Sequence, residues 1–210
     1  MGSTVHELDE QPFFAAGTSP FRSKGTTYVG HVQWVVENFP GGKDAYLECF
    51  TDPALRAFHA QPFMAPTWYD FMPLACAGHT CARAMNMSFE EFIEYRARYQ
   101  ADHDMRGVYK FFLALAPNAL LAKKLTGIMV QYFDFGTPLV IAESKGHVVC
   151  EVQAMPTLFV PWMRACIKGF VETVLDRAGA KNVKVVTSHT ASGTLHDFPA
   201  SVLGVDITWA

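Results

Sequence analysis

The apolar residues of this chain keep two different periods, and the change falls just after Phe133. Before it they recur at helical spacing, most strongly in Asp104–Phe133. There Val108, Phe111, Phe112 and Leu115 make one stripe, and Leu121, Leu125, Ile128, Met129 and Tyr132 make a second. Pro117 lies between them, where it can open the second helix but cannot continue the first. The stretch reads as a helical hairpin with two apolar faces. Beyond Phe133 the pattern alternates. Leu139–Ala142 and His147–Gln153 read as strands joined at Ser144-Lys145-Gly146. Helical spacing returns from Phe159 to Leu175, with Gly179 as its stop. Asn182–Ser188 and Val202–Trp209 alternate again, separated by a polar loop over Thr190–Ala200. Helices followed by a β-β-α-β-β run predict an α+β fold, an N-terminal helical bundle packed on a four-stranded antiparallel sheet.

The earlier chain fills in the bundle. Residues 1–24 lack a period and read as a partly ordered arm, with Gln11–Phe14 able to dock; residues 25–210 read as one ligand-binding-like domain. Thr26 or Thr27 is expected to cap a helix that buries Val29, Val32, Val35, Val36 and Phe39 and ends at Pro40-Gly41-Gly42. A short helix is expected over Asp44–Phe50, and Asp52-Pro53 opens another. Thr67–Asp70 has capping-box spacing for a helix to about Met85, bent near Pro73. Ser88–Glu91 is a second capping box, for a helix burying Phe89, Phe92, Ile93 and Tyr99.

Composition excludes several classes of partner. The net charge is −3 and no block of five basic residues occurs, which argues against nucleic acid. No apolar run is long enough to span a membrane, and no secretory signal opens the chain. Five cysteines, an odd number without such a signal, point to reduced thiols and a cytoplasmic protein.

Gly25-Thr26, Trp68-Tyr69, Asp104-Met105-Arg106-Gly107-Val108-Tyr109, Tyr132-Phe133-Asp134 and Gly179-Ala180-Lys181-Asn182-Val183 together resemble a family of paralogues expanded in myxobacteria. The likeness covers about residues 22–209. That family is similar in architecture to haem-nitric-oxide-binding domains, four-vinyl-reductase-like domains and TRAPP trafficking subunits. The resemblance implies binding of an apolar molecule, or of a partner, rather than catalysis. Haem sensors of the group grip the haem propionates with Tyr-x-Ser-x-Arg, a run absent from this chain. The zinc-bearing members use cysteines near the domain's end, whereas the last cysteine here is Cys166.

Cys76, His79 and Cys81 form the most metal-like group, but on a helix the two cysteines lie about 140° apart. His103 beside Asp104 reads as a helix-end histidine or a haem ligand. Arg106 can pair with Asp102 one turn earlier, or bind a ligand carboxylate. Ser192, His196 and Asp197 lack the elbow that a hydrolase triad needs. The expected role is therefore a non-enzymatic sensor or carrier of a small apolar or aromatic molecule. Its walls would be Trp68, Tyr109, Phe112, Phe133 and Trp162, with His103 and Arg106 as polar contacts. No metal is expected. The alternatives are a haem-binding gas sensor using His79 or His103, and a TRAPP-like interaction module that forms a homodimer.

Overall fold

The structure, a computed structural model, describes residues 13–106 and 129–210. Most of the predicted helical hairpin, including Tyr109 and Phe112, lies outside these residues, as do Gln11 and Pro12 of the arm. The chain divides into two compact units, Met1–Ile93 with Tyr132–Asp134, and Glu94–Gln131 with Phe135–Ala210. The fold is α+β, in the order that the change of period predicts. Among the described residues no helix is long and apolar enough to cross a membrane.

In the first unit, β1 (Arg22–Lys24) runs antiparallel to β2 (Trp68–Asp70). Around them lie α1 (Gly25–Asn38), α2 (Gly42–Glu48), α3 (Pro53–Ala60) and α4 (Met72–Ala84). Helix α5 (Phe89–Arg106) starts here, and Phe133 bridges to Ser23. The Ser88 capping box forms as read: the Ser88 N–H donates to Glu91 Oε2 at 2.9 Å and the Glu91 N–H to Ser88 Oγ at 3.3 Å. Asp52 caps α3 by accepting the Ala54 N–H at 2.8 Å.

Two helical readings need correction. Helix α1 has no side-chain cap, and its buried face is Tyr28, His31, Trp34 and Val35; Val29 and Val36 are 40% and 60% exposed. Each aromatic ring removes more apolar area from water than a valine, so the aromatic stripe sets the helix's rotation. Thr67–Asp70 does not open a helix, because Trp68–Asp70 pairs with β1. The helix read to about Met85 is α4, which starts later, at Met72, and ends at Ala84; Asp70 accepts its Met72 N–H at 2.9 Å, and Pro73 sits in its first turn.

The second unit holds the sheet, β3 (Thr137–Ser144), β4 (His147–Pro156), β5 (Lys184–Leu195) and β6 (Phe198–Thr208), in the order β3-β4-β6-β5 and antiparallel throughout. A single 3₁₀ turn leads from β4 into α6 (Val160–Arg177), which ends before Gly179. The inner face of the sheet is Val148, Cys150 and Val152 of β4 with Leu203, Val205 and Ile207 of β6. The predicted polar loop over Thr190–Ala200 is instead a continuous ribbon. β5 and β6 stay paired to Leu195↔Phe198, and His196-Asp197 turn with φ of 50° and 66°. Two left-handed residues make the mirror-image turn that matches strand twist. The ribbon is polar and exposed on both sides, so it carries no alternation to read.

Helix α5 meets α6 in this unit at Gly169, where a Cβ would stand 2.4 Å from the Glu94 carbonyl oxygen. Three ion pairs flank the crossing: Lys168 to Glu94 at 2.9 Å, Arg98 to Glu172 at 3.1 Å and Arg177 to Asp102 at 2.9 Å. Asp102 thus pairs with Arg177, not with the anticipated Arg106, whose side chain lies outside the described residues.

Candidate functional site

The residues expected to bind a guest fall in both units. Trp68 is half-buried in β2, with the Lys24 ammonium 4.4 Å from its ring centre. Phe133 is buried, its ring 5.3 Å from that of Phe71. Strand β1 connects these two, since Lys24 pairs with Trp68 and Ser23 with Phe133. In the second unit Trp162 is buried in the first turn of α6. His103 is exposed on α5, its ring 6.4 Å from that of Tyr99. Among the described residues His103 accepts and donates no hydrogen bond, which leaves both ring nitrogens open to a ligand. His79 is half-buried on α4 and lies flat against Phe89 at 3.8 Å. Cys76 and Cys81 are buried on the same helix and form no disulfide. Among the described residues no three His, Cys, Asp or Glu side chains gather as a metal site. Ser192, His196 and Asp197 lie at the exposed end of the β5–β6 ribbon.

The densest polar chemistry lies elsewhere, inside the first unit, and no motif announces it. His31 Nε2 is 3.0 Å from the Tyr46 hydroxyl, which is 3.0 Å from His59 Nδ1, while His59 Nε2 is 3.1 Å from the Pro73 carbonyl. All three side chains are buried. A carbonyl only accepts, so His59 Nε2 carries its proton. Burial pushes the His59 imidazole down to about 4, so it is neutral and its Nδ1 is bare. Tyr46 must then donate to His59 and accept from His31 Nε2–H. Burial, with nearby Cys81 adding to it, holds the Tyr46 hydroxyl well above the usual phenol range. The chain of bonds thus runs in one direction, from His31 through Tyr46 and His59 to the Pro73 carbonyl. Enclosed by the rings of Trp34, Phe39 and Phe50, it fixes α1, α2 and α3 and is shut off from solvent.

Asp70 is the second such centre. Its Oδ2 accepts the Gly17 and Ser19 N–H groups, each at 3.0 Å, and its Oδ1 accepts the Met72 N–H and the Ser19 hydroxyl. These bonds tie residues 17–19, before β1, to the start of α4. The Tyr28 hydroxyl adds a further tie, donating to the Asp70 carbonyl and accepting the Leu74 N–H at 3.1 Å. The sequence marks Asp70 as part of a capping box; its long-range partners leave no signal in the local pattern.

No protein-family model matches the chain, and no curated protein matches it in sequence. Solved structures do match in fold. The unliganded Fe(II) H-NOX protein from K. algicida aligns with a TM-score of 0.60 at 13% identity, over 89% of this chain and 96% of its own. A point mutant of the T. tengcongensis H-NOX protein aligns at 0.61 and 11% identity, over 89% and 97%. An oxygen-binding H-NOX domain related to soluble guanylate cyclases aligns at 0.60 and 12%, over 89% and 94%. The architecture is H-NOX-like, at identities that show the fold alone.

Proposed function

We propose that this chain is a non-enzymatic sensory module that binds a small molecule on an H-NOX-like scaffold. The observation that carries the reading is the extent of the match, which takes in nearly nine-tenths of this chain and nearly all of each matched domain. Within the first unit, Trp68 and Phe133 are candidate aromatic contacts for such a molecule; within the second, Trp162, Tyr109 and Phe112 are, with His103 and Arg106 as candidate polar contacts. Unfolding followed in the presence of a panel of flat apolar molecules tests this. A guest that raises the melting temperature in proportion to its concentration supports it, and a panel without effect counts against it.

Haem is the second reading, and the matched proteins favour it over an unspecified guest. One of them is an Fe(II) protein, one binds oxygen, and another match, at a TM-score of 0.60, concerns haem redox potential. The fit of haem to these residues is divided. His103, with both ring nitrogens open, suits an axial ligand. The propionate grip does not fit. No Tyr-x-Ser-x-Arg run occurs anywhere in the chain. A Soret band that moves on mixing protein with haem, and is lost in His103→Ala, would establish the haem reading. A spectrum identical to free haem would retire it and leave the apolar guest.

A further inference from the structure

The cations of α6 are not treated alike. Lys168 and Arg177 each meet a carboxylate of α5. Arg164, one turn ahead of Lys168, meets none. Its Nε–H donates to Thr187 Oγ1 of β5 at 2.9 Å, and among the described residues this is its one hydrogen bond. The side chain is half-buried, so part of its hydration is lost with no ion pair in return. Holding Nε fixes the plane of the guanidinium. It leaves the pair of terminal amino groups, the edge that meets two oxygens of one carboxylate or phosphate.

The surroundings agree in sign. Thr187 and His189 share a face of β5, two residues apart and ahead of the bulge between Ala191 and Gly193. His189 is exposed and has no hydrogen-bond partner among the described residues. β5 has no acidic residue over its whole length. On β6 the only acid is Asp206; Val205 pairs with Thr187, so Asp206 faces the other side. On β4 that face presents Val148, Cys150 and Val152. The carboxylate on the same face is Glu143, on β3 at the opposite edge of the sheet. The first acid of α6 is Glu172, two turns beyond Arg164 and already held by Arg98.

We propose that Arg164, aimed by Thr187 and flanked by His189, is a recognition site for an oxyanion, a phosphate group or a carboxylate. The site lies within the second unit and is independent of haem or any apolar guest. A single half-exposed bidentate contact binds in the millimolar range.

Inorganic phosphate and N-acetylaspartate are the probes, titrated separately into ¹⁵N-labelled full-length protein. The expected result is saturable shifts confined to the Arg164 Nε–H and the amides of Val185–Ala191. Saturation by phosphate alone assigns a phosphoryl ligand; saturation by both assigns any two-oxygen anion, including an acidic side chain. Arg164→Gln should abolish the response. Arg164→Lys, which keeps the charge but not the fork, should weaken it about tenfold. Thr187→Val should weaken it less, leaving the charge unaimed. The remaining amide spectrum reports whether each variant is folded. Shifts that do not saturate, or that persist unchanged in Arg164→Gln, would overturn the site.

Discussion

Asp70 holds backbone groups from two stretches of chain, and its chemistry decides how it can be replaced. An ionised carboxylate offers acceptors alone, and all its partners here are donors. Asp70→Ala leaves buried N–H groups unmet and should cost about 3 kcal/mol or more, read from the urea midpoint. Asp70→Asn should cost nearly as much, because its amide nitrogen would face the donors of Gly17 and Ser19. An Asn variant within about 0.5 kcal/mol of the parent would show that the carboxylate's charge is dispensable. His59 gives a pH dependence. Its folded value, about 4, lies below the ordinary 6.5, so the unfolded chain binds the extra proton. Stability from this group is therefore whole above 6.5 and lost as pH falls toward 4, by about 3 kcal/mol in all. Ring ¹⁵N shifts should show His59 neutral at pH 5; a midpoint near 6.5 would contradict the buried chain of bonds. Neither centre is legible in the sequence. His31, Tyr46 and His59 are separated by 15 and 13 residues, and only the fold gives them common partners.

The α5–α6 crossing shows what single elements contribute. Gly169 permits backbone contact with Glu94, so Gly169→Ala must push the helices apart and should cost about 1–3 kcal/mol despite alanine's better helix propensity. Chemical denaturation would reveal this, and a neutral or stabilising alanine would mean the crossing yields easily. The three ion pairs beside it are partly exposed, so each contributes less than about 1 kcal/mol, and that fades in salt. Elements fixed by neighbours in sequence are the ones the sequence shows. The Ser88–Glu91 box and the Asp52-Pro53 start need no distant partner, and both form as read. Thr67–Asp70 has the same kind of signal, but β1, far earlier in the chain, claims it for a strand. Helix α1 offers two stripes, valine and aromatic, and spacing alone does not choose between them. The β5–β6 ribbon is hidden for a different reason, since polar residues on both faces erase the period of two.

At the scale of the whole molecule, the change of period after Phe133 is enough to give the α+β order, because periodicity survives low sequence identity. What it cannot give is the guest, which depends on a few side chains in a shared architecture. The sharpest difference is the missing Tyr-x-Ser-x-Arg run, with which haem sensors of the resembling group grip the propionates. A guest's negative charges therefore gain nothing from such a motif here. The consequence can be measured with haem and its dimethyl ester, both presented in detergent micelles. A propionate-gripping sensor should lose much of its affinity when the carboxylates are esterified, since charge-assisted bonds to arginine are worth about 1.5–3 kcal/mol each. This protein, if it takes either molecule, should bind the two within about threefold, a difference of less than 1 kcal/mol. A preference for the free acid of a hundredfold or more, about 2.7 kcal/mol, would mean that another cation has taken over the arginine's role. Arg106 would then be the first to substitute, because it ends the helix that carries His103.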